Sequence, residues 1–503
     1  RCLCNLVKRV SFAAQGVFSC DLLCPCVHCP ARLSLAMATT FWVKYLFIHL
    51  AWLRWTSKLL YMTSQSVYVT VRVLTSISSD TFTWSIPADV ADLDTLAALV
   101  RGRNHRMLPT TRFDRILEID YDNRVVVAQP GVTNLGITDA VREHGFYYAP
   151  DPSSQIACSI GGNVAENSGG VHCLKYGLTT NNVLGVELVT MAGEILRIGG
   201  RTLDAPGYDL LGVVNGSEGM LGVITEVTVR ILPRPATARA ALLGFPSIEA
   251  AGQCVADIIA EGIIPAGMEM MDRLATQAAE DFLHIGYPLD AEALLIVEAD
   301  GCQAECQDVL RRIERIARHN GANTCRISGS DDERLRFWAG RKAAFPATGR
   351  LSPDYYCMDG TIPRGALAQV LGAMQDMSRR YELRVANVFH AGDGNLHPLI
   401  LYNANEPGQL EKAEAFGAEI LRLCVKVGGV LTGEHGVGVE KRDLMPEMFT
   451  EVDLNQQQRL KCAFDPDGLL NPGKVFPTLH RCAELGRMHI HRGQMPFPDL
   501  PRF

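Results

Sequence analysis

Apolar and polar positions alternate in short, regular runs from about residue 86 onward, a pattern typical of a protein that mixes strands and helices. In the first part of this region the pattern predicts a helix over 132–145 and strands within 112–132 and at 183–190, 194–199 and 222–233. Pro233 and Pro235 end the last of these strands. Because proline removes a backbone donor and interrupts a sheet, we predict a domain boundary there.

Strands and helices continue to alternate between residues 238 and 400. The pattern predicts strands at 238–245, 293–300, 354–363 and 385–392, and helices at 249–261, 274–284, 306–321, 332–345 and 365–380. We expect an antiparallel sheet covered by helices on one face, which is an α+β domain. Residues 409–474 are predicted to be mostly helical and to end at the stop signal Asn471-Pro472-Gly473.

The length of 503 residues predicts two or three packed units, and 47% hydrophobic residues allow a sizeable core. We assign 1–107 to an atypical N-terminal segment, 108–236 and 237–408 to two domains, and 409–503 to a C-terminal helical segment that completes the active site. The net charge of -7 argues against a partner made of nucleic acid, which would favour a basic surface.

The N-terminal segment differs from the rest of the chain in composition. Six of the 16 cysteines fall in the first thirty residues, at Cys2, Cys4, Cys20, Cys24, Cys26 and Cys29. Their spacing matches neither a usual zinc pattern nor a ferredoxin run. The apolar run at 41–53 is too short for a membrane span and is interrupted by Lys44 and His49. We therefore expect a frameshifted or misassembled segment that carries no function, and no direct membrane span.

A loop rich in glycine and serine at 147–170, YYAPDPSSQIACSIGGNVAENSGG, is the first candidate for chemistry. Its paired glycines allow a positive φ and a close approach of backbone N–H groups to a ligand, as a phosphate- and ring-bearing cofactor requires. The alternative is a set of ordinary turns. A Rossmann fingerprint and a P-loop are absent, so a nicotinamide enzyme and a P-loop NTPase are disfavoured. A second glycine run, at 215–227, precedes a strand, which reverses the Rossmann order.

Two further segments, FHAGDGNLHP at 389–398 and GEHGVG at 433–438, carry histidines and a carboxylate. His390 and His397, with Glu434 or His435, suit a borderline divalent metal that keeps a position open for a substrate. The alternative is that histidines seven residues apart are unrelated.

The motifs PDPSS, SIGGNVAENSGG and GSEGMLGVITEVTV together resemble the FAD-binding domain of the vanillyl-alcohol-oxidase, or PCMH-type, flavoproteins. Within this group the D-lactate, glycolate and 2-hydroxyglutarate dehydrogenases fit best, and the resemblance covers roughly residues 108–503. It implies an α+β protein with a PCMH-type FAD-binding domain, a ferredoxin-like α+β cap domain that binds the substrate, and a C-terminal helical segment.

The resemblance also implies which residues bind FAD. Beside the isoalloxazine and ribityl parts it places Pro150, Ser153, Gly161, Gly162, Asn163, Ser168, Gly169 and Gly170, and beside the adenine and dinucleotide part Glu218, Gly219, Gly222 and Ile224. Ser154 and Asn471 complete the expected set. Where relatives carry a glycine-rich pyrophosphate loop, residues 100–120 keep only Arg101-Gly102. A diphosphate needs several N–H donors, so we expect the N-terminal half of the FAD-binding domain to be damaged and FAD binding to be weakened.

For the reaction, the resemblance implies a divalent metal (Zn, Mn or Fe) on His390, His397 and Glu434, with His435 as the base. Arg341 matches the arginine that binds the substrate carboxylate, against the alternative of a solvated helix residue, and Asn395 is a further polar contact. Cys357 stands where 2-hydroxyglutarate dehydrogenases carry a lysine, which favours a small substrate.

The activity implied is FAD-dependent oxidation of glycolate to glyoxylate, with hydride transfer to flavin N5, in a glycolate oxidase complex. The expected partners are a second flavin-domain subunit and an iron–sulfur subunit. We expect the chain in the cytoplasm, with any association with the membrane made through these partner subunits. Four alternatives stay open: a D-lactate dehydrogenase, an inactive flavin-free fragment, a UDP-sugar reductase (disfavoured because such enzymes lack the HAGDGNLH segment) and a zinc hydrolase, which leaves the glycine loops unexplained.

Overall fold

The computed structural model describes residues 113–204 and 207–477, so the predictions for residues 1–107 lie outside the described residues. Its first region consists of β1 (Ile116–Asp120), β2 (Val125–Ala128), α1 (Asn134–Val141), β3 (Phe146–Tyr147), α2 (Ile160–Glu166), α3 (Cys173–Tyr176), α4 (Thr179–Asn182), β4 (Val183–Val189), β5 (Ile195–Gly199), α5 (Leu210–Val214), β6 (Val223–Arg230) and β7 (Leu232–Pro233). Five of these strands form an antiparallel sheet in the order β1-β2-β6-β4-β5.

One face of this sheet shares a hydrophobic core with α1 and with α2, which forms within the segment 147–170 that was predicted to be a loop. Ile137 of α1 and Ile160 of α2 are fully buried together with valines of β2 and β6. The side chain of Thr133 accepts a hydrogen bond from Gly136 N and so caps α1. Ser159 caps α2 in the same way through Gly162 N. Thr133 and Ser159 also form an isolated antiparallel bridge, so the starts of the two helices lie side by side.

The second region begins at the predicted proline boundary. It consists of β8 (Thr237–Phe245), α6 (Ile248–Ala260), β9 (Gly267–Asp272), α7 (Arg273–Leu283), β10 (Ala293–Gly301), α8 (Gln303–His319), β11 (Thr324–Ile327), α9 (Asp331–Thr348), β12 (Asp354–Cys357), β13 (Gly360–Thr361), α10 (Leu367–Tyr381), β14 (Val385–Phe389), β15 (Asn395–Leu396) and β16 (Pro398–Tyr402). Seven strands form an antiparallel sheet in the order β11-β8-β10-β9-β14-β16-β12.

The expectation that helices cover only one face of this sheet is wrong. Leu243 of β8 faces a core built with α6, α8, α10 and α11 (Gln409–Lys426), whereas its neighbour Leu242 faces a second core built with α7 and α9. The physical reason is visible in β8, whose last six residues are all buried. A continuous apolar run is typical of a strand that is covered on both faces.

The C-terminal segment is less helical than predicted at the point where the site lies. After α11 come α12 (Met445–Met448) and α13 (Glu451–Phe464), and residues 427–441 between α11 and α12 form an irregular loop. This loop carries the GEHGVG motif. Irregular backbone can aim consecutive polar side chains at one point, which a helix would spread around its axis.

The two described regions lie within one compact unit. None of the helices in the described part of the chain is long and apolar enough to cross a membrane.

Candidate active site

Three predicted metal ligands converge at the edge of the second sheet. His390 follows the last residue of β14, His397 stands between β15 and β16, and Glu434 comes from the loop after α11. Oε1 of Glu434 lies 3.4 Å from Nε2 of His390 and 3.3 Å from Nε2 of His397. Both histidines are buried, and the three ligand atoms lie within 4.8 Å of one another.

The donor set of this triad fits a divalent metal ion. Neither ring nitrogen of His397 has a hydrogen-bond partner among the described residues, although the residue is only 2% exposed. Burial, with the charges of the neighbouring histidines, lowers the pKa of His397 to about 4, so its imidazole is neutral and keeps a free lone pair. Two imidazoles and one carboxylate are a common ligand set for a catalytic metal that leaves a position open.

Glu269 of β9 contacts the second ring nitrogen of His390, one of the predicted metal ligands. Its Oε1 lies 2.7 Å from Nδ1 of His390. Burial opposes a positive charge on His390, but the carboxylates of Glu269 and Glu434 raise its pKa to about 10. A carboxylate on the second ring nitrogen of a histidine ligand fixes the orientation of the ring.

Arg341 of α9 is 1% exposed, so the alternative of a solvated helix residue is wrong. Its Nε and Nη2 lie 2.9 Å and 2.7 Å from Oε2 of Glu269, the carboxylate that also contacts His390. Nη1 makes no hydrogen bond within the described part of the chain. A buried guanidinium nitrogen without a partner is costly, which is consistent with an anionic ligand that would complete it.

His435 lies beside the triad. Its ring stacks on that of His397 with centroids 5.0 Å apart, and its Nδ1 lies 3.5 Å from Oδ1 of Asp359. The side chain of His435 is 29% exposed, which leaves Nε2 accessible to a ligand. Asp359 also accepts hydrogen bonds from the backbone N–H groups of residues 433, 434 and 435, and it pairs with the buried Lys441.

A second possible metal triad, Asp359 with His397 and His435, is less suited to an ion. Both oxygens of Asp359 are already engaged by backbone amides, Thr432 and Lys441. Although burial opposes its ionisation, His435 and Lys441 hold the pKa of Asp359 well below its usual range. Its charge is thus offset within the protein, so we assign Asp359 to holding the loop.

Asn395, the predicted further polar contact, is placed within the same cluster. It forms an antiparallel bridge with His390, and its side chain lies against Gly433, where an added Cβ would meet Oδ1 at 2.1 Å. That Oδ1 atom is buried without a hydrogen-bond partner among the described residues. The amide is therefore available to a ligand.

The glycine-rich loop reaches this cluster through one hydrogen bond. The backbone N–H of Gly169 donates to Oε2 of Glu434 at 2.9 Å. Asn163 is buried on α2, and its Nδ2 has no partner within the described residues. A cofactor held along this loop would therefore lie beside the metal triad, and a free amide donor is present to bind it.

The positive φ expected for the paired glycines of the segment 147–170 is not found. Gly161, Gly162, Gly169 and Gly170 all lack a positive φ. A Cβ on Gly161 would meet Pro130 at 2.5 Å, and one on Gly170 would meet the backbone of Asp151 at 2.5 Å. Close packing of the chain on itself, rather than a left-handed backbone, requires glycine at these two positions.

The other predicted FAD residues are spread over the first region. Pro150 is buried, Ser153 is exposed, and Ser154 and Ser168 are half-buried in the segments that flank α2. Gly222 and Ile224 lie at the start of β6, and the side chain of Ile224 packs on the core of the first sheet.

Glu218 connects the first region to the C-terminal loop, and the neighbouring Gly219 lies against Asn471, whose Nδ2 an added Cβ would meet at 2.9 Å. The carboxylate of Glu218 accepts hydrogen bonds from the backbone N–H groups of Val437 at 2.6 Å and Gly438 at 2.8 Å. Asn471 donates from Nδ2 to the backbone oxygen of Glu218 at 2.6 Å. Glu218 therefore holds the loop 427–441, and Asn471 contacts Glu218.

Three residues of the site, Glu269, Asp359 and Lys441, were missed in the sequence analysis. Each is a charged side chain that is at most 3% exposed. The available signal was a charge inside an apolar run, as in GMEMMD of β9. An isolated charge in a buried strand must have a partner, but the sequence does not show which one.

Comparison with known proteins identifies the family. Residues 234–475 match the family described as FAD linked oxidases, C-terminal domain, and residues 96–199 match the FAD binding domain. Glycolate oxidase subunit GlcD of Escherichia coli strain K12 is 59% identical over 397 residues, which are 79% of this chain and 80% of that protein. The chain belongs to the FAD-linked oxidases. It is an oxidoreductase whose cofactor is FAD, as predicted.

More distant relatives support the same family assignment. GlcD of Bacillus subtilis strain 168 is 39% identical, with 72% of this chain and 77% of that protein covered. D-lactate dehydrogenase of Archaeoglobus fulgidus is 32% identical, with 72% and 80% covered. The match to the FAD binding domain begins at residue 96, within the segment that we set apart as atypical.

Solved structures confirm the predicted fold class. The 4-ethylphenol oxidase from Gulosibacter chungangensis superposes with a TM-score of 0.61 over 77% of this chain and 88% of that chain, at 16% identity. The p-cresol methylhydroxylase superposes with a TM-score of 0.59 over 73% and 78%, also at 16% identity. At this identity the likeness concerns the fold alone, which is that of the vanillyl-alcohol-oxidase, or PCMH-type, flavoproteins.

Proposed function

We propose that this FAD-linked oxidase oxidises glycolate to glyoxylate. The observation that carries the proposal is the convergence on one buried cluster of Arg341, the triad of His390, His397 and Glu434, and the base candidate His435. The name of the GlcD relatives, at up to 59% identity, supports glycolate as the substrate.

The substrate carboxylate would bind at Arg341. Nη1 of this guanidinium is buried without a partner among the described residues, while Nε and Nη2 are held by Glu269. The amide of Asn395, with its free Oδ1, would contact the hydroxyl end of the substrate. Two anchors of this kind fix both ends of a two-carbon hydroxy acid.

The hydroxyl proton would pass to Nε2 of His435. Because Nδ1 of His435 faces Asp359 at 3.5 Å, Nε2 is the ring atom left to accept a proton. Asp359 holds the backbone of residues 433–435 and so keeps this ring in place. A positioned histidine base typically accelerates such a step by about a hundred- to ten-thousandfold.

A metal ion and FAD would supply the remaining chemistry. A divalent ion on His390, His397 and Glu434 would lower the pKa of the substrate hydroxyl, and FAD would take the hydride from the substrate carbon at N5. Asn163 and the loop around Gly169 would hold the flavin beside Glu434, since Gly169 donates to that carboxylate.

The side chain at Cys357 supports a small substrate. Cys357, at the end of β12, is half-buried and packs against the apolar residues of the second core. Burial raises the pKa of its thiol, so Cys357 brings no charge to this region. A substrate with a second carboxylate would find no cation at Cys357, which favours glycolate or D-lactate.

The experiment is the visible spectrum of the purified holoprotein, recorded without oxygen before and after addition of glycolate or D-lactate. We expect a flavin spectrum that bleaches faster with glycolate. Faster bleaching with D-lactate would favour the activity named for the Archaeoglobus relative. A protein that stays colourless with added FAD, or a flavin that neither substrate bleaches, would contradict the proposal.

We further propose that the chain acts as one subunit of a complex with a second flavin-domain subunit and an iron–sulfur subunit. The relatives of this chain are named as subunits of glycolate oxidase, which supports an assembly. Co-expression followed by purification through a tag on this chain tests it, and recovery of the chain alone would contradict it.

A further inference from the structure

Glu269 is a fully buried carboxylate in the middle of the largely apolar strand β9. β9 reads GMEMMD, all six residues are buried, and Glu269 is 1% exposed. A buried carboxylate is retained only when its charge and its lone pairs are satisfied. The identity of its partners therefore indicates why Glu269 is present.

The two oxygens of Glu269 contact two different parts of the site. Oε1 lies 2.7 Å from Nδ1 of His390, a member of the metal triad. Oε2 accepts from Nε of Arg341 at 2.9 Å and lies 2.7 Å from Nη2. One side chain thus connects the proposed metal ligand with the proposed carboxylate-binding residue, and a rotation about its side-chain bonds would change both contacts at once.

We propose that Glu269 is a positioning residue that fixes Arg341 and His390 relative to each other, so that metal affinity and substrate binding depend on the same side chain. This inference rests on the proposed function, because it takes Arg341 as the carboxylate anchor and His390 as a metal ligand. It adds a residue to the site that neither the sequence motifs nor the family resemblance indicated.

Asp272 offers a matched control at the other end of the same strand. Its carboxylate is also buried, at 6% exposure, and it accepts hydrogen bonds from Ala275 N, Asn387 N and Asn387 Nδ2. These contacts cap α7 and join β9 to β14, and they include neither Arg341 nor His390. D272N therefore tests what the loss of a buried carboxylate from β9 does when the contacts to Arg341 and His390 remain.

The test compares E269Q and D272N with the wild-type holoprotein. An amide has one acceptor oxygen and one donor group, so a glutamine cannot accept from both Arg341 and His390. For E269Q we expect zinc affinity, measured by competition with a chelator, to fall about 10- to 100-fold, as is typical when the partner of a histidine ligand is lost. We also expect KM for glycolate to rise about tenfold because the arginine loses its fixed orientation. D272N should keep both values within about twofold of wild type, since its partners lie outside the site.

A second variant, E269D, keeps the charge but is one methylene shorter and cannot span both partners. If E269Q does not accumulate as a folded flavoprotein, zinc affinity and KM for glycolate measured on E269D test the role of Glu269 instead. E269 variants that match D272N in both zinc affinity and KM would overturn the role of Glu269. The proposed function would then still stand if glycolate bleaches the wild-type flavin, and it would fail separately if glycolate does not.

Discussion

At the scale of single residues, the chemistry of the site depends on buried polar atoms that lack a partner. Nη1 of Arg341, Oδ1 of Asn395 and both ring nitrogens of His397 are buried without a hydrogen bond among the described residues. Buried polar groups are nearly always paired, so a cluster of unpaired atoms indicates a place for ligands. Their chemistry, a cationic donor, an amide oxygen and free imidazole nitrogens, corresponds to a carboxylate, a hydroxyl group and a metal ion.

Arg341→Lys tests the carboxylate anchor. A lysine keeps the charge but loses the planar fork, so we expect KM for glycolate to rise about 100-fold, equivalent to about 2.7 kcal/mol of binding. Zinc affinity should change little. Steady-state kinetics measure the effect, and Arg334→Lys on the same helix, where Arg334 pairs with Glu298, is the control. An unchanged KM in the Arg341 variant would contradict its role.

His435→Gln tests the base. Glutamine retains polarity but cannot take up a proton, so we expect kcat to fall about a hundred- to ten-thousandfold with a smaller change in KM. Rapid-mixing measurements of flavin reduction by glycolate report this step directly. His284→Gln, at the exposed end of α7, is the control. A rate of flavin reduction within tenfold of wild type would assign the proton transfer to another residue.

At the scale of elements, the irregular loop at 427–441 is fixed by carboxylates from two different parts of the chain. Asp359, beside β13, accepts three consecutive backbone N–H groups of this loop, and Glu218 from the first region accepts two more. Hydrogen bonds to an ionised acceptor are stronger than neutral ones. The loop therefore has the fixed geometry that a catalytic site requires without being a helix or a strand.

The glycine-rich loop supports a prediction at the same scale. A Cβ on Gly170 would lie 2.5 Å from the backbone of Asp151, whereas one on Gly200 would meet nothing within 4 Å. We expect Gly170→Ala to destabilise the protein by about 2 kcal/mol, as overpacking typically does. It should also reduce the FAD content, because the loop would move. Thermal unfolding and the flavin-to-protein absorbance ratio measure both effects, and Gly200→Ala should match wild type in each.

At the scale of the whole molecule, the two described regions are joined by a network of charged and polar groups. His172 of the first region lies 2.8 Å from Oδ2 of Asp151 and 3.2 Å from Oε1 of Glu298 on β10. Burial disfavours a charge on His172, but the two carboxylates raise its pKa well above the usual value. Lys175 pairs with Asp300 two residues further along β10, at 2.6 Å. Because the regions meet through these pairs, the first and second regions share a fixed orientation.

The stability of this junction should depend on pH through Glu298. Burial opposes its ionisation, but His172 and Arg334 lower its pKa from 4.5 to about 2. A carboxyl whose pKa is depressed on folding stabilises the protein above the unfolded pKa and loses this effect as the pH falls through the folded pKa. The contribution should therefore be complete above pH 4.5 and be lost between about pH 4.5 and 2.

Glu298→Gln tests that dependence. Breaking a buried ion pair costs about 3 kcal/mol, so we expect a lower unfolding temperature at pH 7 and a flatter dependence on pH between 4.5 and 2. Glu292→Gln is the control, because its pair with Arg273 is exposed and should contribute less than about 1 kcal/mol. Equal unfolding temperatures for the two variants at pH 7 would contradict a role for Glu298 at the junction.

The sequence by itself determined most elements of the fold and predicted which residues form the site. Strands such as β4 and β10 and helices such as α8 lie close to their predicted bounds, because apolar periodicity reports local burial directly. The residues around His390 and Glu434 left a metal site and unrelated histidines both open, and it was the family resemblance that implied an oxidoreductase, which the match to the FAD-linked oxidases confirms. The sequence did not show that both faces of the second sheet carry helices, since periodicity reports that a position is buried and not what covers it.

Only the tertiary structure decided which charges meet. Glu269 and Asp272 stand three residues apart on one strand and look alike in sequence, yet one contacts Arg341 and His390 and the other caps a helix. Arg341 and Glu269 are 72 residues apart, and His390 is 121 residues from Glu269. Such contacts depend on how the strands of a sheet are ordered and in which register they pair, and no local pattern encodes either. The motifs therefore predict which residue types form the site, and the fold determines how these residues are arranged.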